Sequence, residues 1–192
     1  MGNLKLIAGI ISILLMISAT IIYFRMIVRE KAKPPAFSWL VWGLLLSVIF
    51  AAQMIKNGGA GAWATGATAV TSFLFFYILW KKGQRKFSSA HGISLVVVIV
   101  SLIFWSVTKN PLGAVLLLIG VDAVGFFFTA KKGYQHPEED SVLFWSFSAT
   151  KWLFAILAMG SYSAVTLLYP AYLFLTSGGY TLLLIWKKSR EK

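Results

Sequence analysis

Lys151 and Asp122 stand out chemically, because both are charged side chains set inside long apolar runs. Lys151 falls about ten positions into one such run, within Ser146-Phe147-Ser148-Ala149-Thr150-Lys151-Trp152. A cation at that depth of a membrane costs roughly 3 kcal/mol unless it faces a cavity or a partner. Asp122 is the natural partner. It lies eight residues before position 130, roughly 12 Å deep at 1.5 Å per residue, and Lys151 is roughly 15 Å from the same side. Two consecutive antiparallel helices would then hold them at matching depth. The pair would serve as a site for a polar substrate, as a proton-sensitive latch, or as a buried ion pair that fixes packing at nearly neutral stability.

Three further side chains are candidates for substrate binding. Trp42 and Trp145 occupy equivalent places about one turn into their helices. Two facing indoles would sandwich a sugar or a planar base, each ring stacking while its N–H donates a hydrogen bond. The competing role is an interfacial belt, where Trp is enriched. Gln53 would either orient a substrate or hydrogen-bond a neighbouring helix. Pro170, with Tyr169 and Tyr172, and the run Ser177-Gly178-Gly179 mark places where the last helix would bend or loosen. Enzyme signatures are missing. With no cysteine and two histidines near segment ends, the sequence offers no metal cluster and no catalytic triad, and it calls for no cofactor.

The elements that must position these residues follow from composition. A chain of 192 residues that is 58% hydrophobic and 12% charged has too few polar side chains to cover a soluble globule. Crossing a bilayer takes about 20 apolar residues, and seven stretches qualify: 6–28, 37–55, 60–80, 90–108, 111–130, 141–159 and 162–186. The first is longer than the apolar core of a secretion signal and lacks a small-residue cleavage site, so it is expected to remain in the protein. Turn signals separate the runs, including Lys33-Pro34-Pro35, Lys56-Asn57-Gly58-Gly59, Lys109-Asn110-Pro111 and Gly160-Ser161. The fold class expected is therefore an all-α integral membrane protein of seven transmembrane helices.

The net charge of +12 does not indicate nucleic acid, because Lys and Arg are confined to short segments between apolar runs. Alternate segments collect fourteen of the eighteen cations, at Arg25–Lys33, Lys81–Lys86, Lys131–Lys132 and Lys187–Lys192. By the positive-inside rule that side is cytoplasmic, with the C-terminus inside and the N-terminus outside. The chain also matches itself at a shift of 103 residues, which lays Arg29 on Lys132, Pro34 on Pro137, Ser38 on Ser141 and Trp42 on Trp145. Helices one to three thus correspond to five to seven. Three is odd, so a fourth helix is needed to make the two units parallel. The expected division is a first three-helix bundle over 1–86, a linker helix over 87–110 and a second three-helix bundle over 111–192.

This 3+1+3 arrangement resembles the SWEET sugar-transporter, PQ-loop and nicotinamide-riboside-transporter superfamily. Ser38-Trp39-Leu40-Val41-Trp42, Ala51-Ala52-Gln53, Thr108-Lys109-Asn110-Pro111, Asp122-Ala123 and Pro137-Glu138-Glu139-Asp140-Ser141 look like a group of small bacterial membrane proteins of unassigned function related to it. The resemblance implies two bundles around a central pathway in the bacterial inner membrane. It also implies a small polar solute, such as a sugar, nucleoside or vitamin precursor, bound near the midplane and moved by alternating access. A receptor or lipid-interacting protein on the same fold is the alternative. Self-association as a homo-oligomer is open on either reading.

Overall fold

The computed structural model describes residues 2–190, and among them the chain is helical apart from short connections. Seven helices follow in order: α1 (Gly2–Val28), α2 (Ala36–Ile55), α3 (Trp63–Lys81), α4 (Ser89–Thr108), α5 (Pro111–Gln135), α6 (Val142–Leu157) and α7 (Ala164–Arg190). A 3₁₀ turn at Gly59–Ala62 leads into α3, and another at Pro137–Glu139 precedes α6. Six spans are long and apolar enough to cross a membrane. The seventh helix, α6, is the exception with 16 residues, roughly 24 Å at 1.5 Å per residue. Of the seven crossings expected from sequence, the run 141–159 is the one whose helix falls short of that length. At 27 residues, roughly 40 Å, α7 overshoots a bilayer core and α5 runs five residues past position 130.

Local chemistry explains where the helices stop. Pro34 and Pro35 precede α2, and Pro35 supplies its extended N-cap. Asn57 takes a left-handed conformation after α2, so that the Gly58 amide turns back to the Gln53 carbonyl at 2.7 Å. Gly83, at φ +79°, does the same for α3, with Gln84 N–H donating to Leu79 at 3.0 Å. Lys109 at φ 55° ends α4. Asn110 then caps α5 by accepting from the Leu112 amide at 3.0 Å, with Pro111 in the first helical position. The tight turn expected there is present.

Packing follows a pattern that recurs along the chain. α2 packs most closely on α3, and α6 on α7; α1 meets α3 more lightly, as α5 meets α7. Sequence neighbours α1 and α2 form no extended contact, and neither do α5 and α6. Between these groups, α1 lies along α6, and its buried face is a stripe of small and flexible residues that includes Ala8, Ser12, Met16 and Ala19. α2 reaches α5 and α7, and α4 packs against α5 and α2. Large apolar side chains such as Ile99, Ile103 and Val107 remain outside on α4, where lipid is their matching solvent.

The buried centre is built from Leu45, Ile49, Ala64, Leu118, Trp152 and Tyr169, which come from α2, α3, α5, α6 and α7. Polar side chains sit within it: Gln53, Thr65, Asp122, Lys151 and Thr166 are each at most 5% exposed.

Candidate functional site

Asp122 projects from the middle of α5 toward α2 and α7. Its carboxylate accepts a hydrogen bond from the Trp42 indole N–H at 2.8 Å. The α7 side chains Tyr172 and Tyr169 lie within electrostatic reach of the same carboxylate. The Tyr172 hydroxyl is buried beside that carboxylate. Trp42 is thus bound by its polar edge to the carboxylate, and its ring packs edge-on against Trp39 at 5.2 Å.

Lys151 lies elsewhere. From α6 it extends to α3, where its ammonium donates to Thr68 Oγ1 at 3.0 Å and stands 4.5 Å from the Trp152 ring centroid. The pair expected between Lys151 and Asp122 is not formed. Two causes are visible. α5 and α6 do not pack on one another despite being consecutive. In addition, α5 continues to Gln135, so Asp122 stands 13 residues from that helix end, roughly 20 Å, against about 14 Å for Lys151 from the start of α6. Sequence proximity was a poor guide because the helix order within this group is α5, α7, α6.

Gln53 has a role set by proline. Pro170 sits inside α7 and has no N–H to give to the carbonyl of Thr166, one turn earlier. Gln53 Nε2 donates to that freed carbonyl at 3.2 Å. α7 is continuous through both Pro170 and Gly178-Gly179, so the expected breaks are at most bends. Replacing Gln53 by Leu is expected to cost about 1 kcal/mol, because the Thr166 carbonyl loses its partner. In a Pro170→Ala background, where α7 regains its own donor, the same replacement is expected to cost almost nothing. Thermal unfolding of the four proteins in detergent measures this coupling.

Trp145 joins a separate cluster at the lysine-rich end. Its indole N–H donates to Asp140 Oδ1 at 2.8 Å, the Tyr180 hydroxyl donates to Oδ2 at 2.7 Å, and the Ser141 amide donates to Oδ1 at 2.9 Å. Lys188 holds the Asp140 main-chain carbonyl at 2.7 Å. Gly133 on α5 makes room for the Tyr180 hydroxyl, since a Cβ there would fall on it. The two indoles do not face one another across a gap. Trp39, Tyr23 and Phe144 stand between them in a continuous run of rings with centroids 4.8–5.2 Å apart.

Asp140, Tyr172, Tyr180 and Thr68 were not singled out as site residues by the sequence. Asp140 stands just ahead of α6, where the helix macrodipole alone is reason enough for an acid. The signal that could have found the tyrosines is spacing. Positions 169, 172 and 180 recur at intervals of three and eight, which is one face of α7.

At the end opposite the lysines, backbone meets backbone. Gly160 N–H donates to the Gly58 carbonyl at 2.8 Å, joining the α2–α3 connection to the α6–α7 connection. Lys5 adds a bond to the Gly160 carbonyl at 3.1 Å. A Cβ on Gly61 would stand 2.6 Å from the Ala155 carbonyl, and one on Gly160 would stand 2.5 Å from the Asn57 carbonyl.

The surface group His136, Glu138 and Glu139 brings its ligand atoms within 4.8 Å of one another. Glu139 is already bound to Lys132 at 2.7 Å, which holds its carboxyl below the usual carboxylate range, and His136 lies 3.4 Å from Glu138. These contacts are those of an exposed charge cluster tying the end of α5 to the following turn.

Fold and site together define an all-helical, multi-pass membrane protein with isolated charges buried among its helices. The chain matches no known protein family, no characterised protein and no solved structure.

Proposed function

We propose that the protein is a facilitator of the bacterial inner membrane that carries a small polar solute between two parallel three-helix units. The units are α1–α3 (1–86) and α5–α7 (111–192), and α4 (87–110) restores their common direction. The recurring packing order supports this division. In each unit the third helix lies between the first and the second, as the 103-residue self-match anticipates.

The observation that carries the reading is where the mid-helix polar groups bond. Trp42 to Asp122, Lys151 to Thr68 and Gln53 to the Thr166 carbonyl all cross from one unit to the other. Of the five expected site residues, Trp145 alone bonds within its own unit. Buried polar contacts of this kind are costly in lipid, and they cluster where substrate pathways run. A seam held by a few hydrogen bonds can exchange them for bonds to a solute as the units rock.

A thermal-shift screen of the detergent-purified protein against sugars, nucleosides, vitamins and amino acids tests this. A solute that binds the folded protein raises its apparent stability, and the response is expected to weaken in Lys151→Met, which loses a bond between the units. No response to any solute would count against a carrier.

A second reading, a receptor without a transport cycle, has a specific observation in its favour. The glycine contacts close one end of the seam, while the lysine-rich end has a cavity of about 140 Å³ lined by Glu30, Lys33, Lys82 and Gln84. Glu30 already pairs with Lys33 at 3.1 Å, which partly neutralises that cavity.

A further inference from the structure

We propose that Asp122 is the anchor for a positively charged solute, so that the carried molecule is an organic ammonium compound. This inference rests on the carrier reading above and narrows its substrate to one chemical class.

Three observations converge on it. Asp122 is 5% exposed in the middle of α5, and the polar groups that face it, the Trp42 indole N–H and the Tyr172 hydroxyl, are neutral. Its neighbours on α7, Tyr172 and Tyr169, are also neutral at ordinary pH, and the lysine of the same seam is turned away toward Thr68 on α3. No ion pair of Asp122 occurs among the described residues. A carboxylate in a low-dielectric interior is strongly disfavoured without a counter-charge, and a cation brought by the solute supplies one.

The second observation is the aromatic surround. Trp42, Tyr172 and Tyr169 all approach the same carboxylate. Tyr169 and Tyr172 lie against one another with centroids 6.0 Å apart. Rings of this type attract a cation through their faces, most strongly when water is excluded. A carboxylate flanked by such rings discriminates an ammonium group from a neutral sugar by both charge and shape.

The third observation concerns access. Tyr169 and Tyr172 flank Pro170, where α7 lacks a backbone hydrogen bond of its own and is held instead by Gln53. A swing of α7 at that point would move both rings relative to Asp122 and make room beside the carboxylate. The Tyr172 hydroxyl, buried beside that carboxylate, would move with them and leave an acceptor site for the ammonium group.

Choline and ethanolamine serve as cationic probes, with glucose and uridine as neutral ones. Binding is measured by isothermal titration on the full chain in detergent, and uptake by proteoliposomes with each radiolabelled probe. Asp122→Asn keeps an oxygen for the Trp42 indole, and an unchanged elution profile and melting point show that it is folded. At least one cationic probe is expected to bind and to accumulate, with affinity falling roughly 30-fold or more in Asp122→Asn. If a neutral probe binds and is carried while the cations are inert, or if Asp122→Asn binds the cation as well as the unmodified protein, the cation site is refuted and the carrier reading stands. If a cation binds through Asp122 but does not enter vesicles, the site stands and the carrier reading falls. If no probe binds or enters, both are overturned.

Discussion

Gly61→Ala is expected to destabilise the protein by about 3 kcal/mol, the upper part of the range for overpacking. The added methyl would stand 2.6 Å from the Ala155 carbonyl and 2.7 Å from the Met159 backbone. Both are main-chain atoms, of α6 and of the turn just after it, so no side-chain rotation relieves the contact. The turn at Gly59–Ala62 and α6 must separate, and with them the hydrogen bond between Gly160 and Gly58. Gly120→Ala, on the outer side of α5 with nothing within 4 Å of its Cβ, is the matched control. It is expected to be neutral or to gain up to about 1 kcal/mol, since alanine favours a helix over glycine. Thermal unfolding in detergent separates the two. Similar melting points would show that the glycine contacts do not hold the two groups of helices together.

Lys151→Met is the second large effect, and its two readouts move in opposite directions. Removing a buried cation relieves roughly 3 kcal/mol of insertion cost. The partner left behind is not stranded, because Thr68 Oγ1 also donates to the Ala64 carbonyl at 2.6 Å. Stability is therefore expected to be unchanged or higher, while the thermal response to solute is expected to weaken, because the Lys151–Thr68 bond joins the two units that the solute must bridge. Residues that weaken a protein yet are needed for activity show this trade-off. A Met variant that unfolds early would instead make Lys151 a packing residue. Because Asp122 and Lys151 contact different helices, losses from Asp122→Asn and Lys151→Met are expected to add in the double variant, and a strong coupling between them would contradict the observed geometry.

Helix number and the turns were legible because they depend on local chemistry: apolar length, the Asn110-Pro111 cap, and the Asn57 and Gly83 reversals. Helix lengths were less so. The Lys131-Lys132-Gly133 segment looked like a loop by charge, yet it continues α5, since lysines at a helix C-terminus suit the macrodipole.

Identifying Asp122, Lys151, Trp42 and Gln53 as polar groups in an apolar interior needed only the sequence. Choosing their partners needed the order of helices. With α7 between α5 and α6, Asp122 meets Tyr172 and Trp42, and Lys151 reaches α3. No periodicity within one helix encodes that choice. Gln53 is a nearer miss. Pro170 strips a donor from the Thr166 carbonyl by a rule that can be read from sequence, but which distant amide would replace it could not be read there.

The proposed carrier requires the two three-helix units to part and rejoin around a solute. The chain has no cysteine, so a single pair can be introduced without background. Tyr23 on α1 and Phe144 on α6 touch at the lysine-rich end, with ring centroids 4.8 Å apart. Tyr23→Cys combined with Phe144→Cys, bridged in proteoliposomes by a short bifunctional methanethiosulfonate that spans the gap left by the two rings, is predicted to abolish uptake of the solute found by screening, and reduction is predicted to restore it. Uptake that continues at the same rate across the closed bridge would show that the units do not part there.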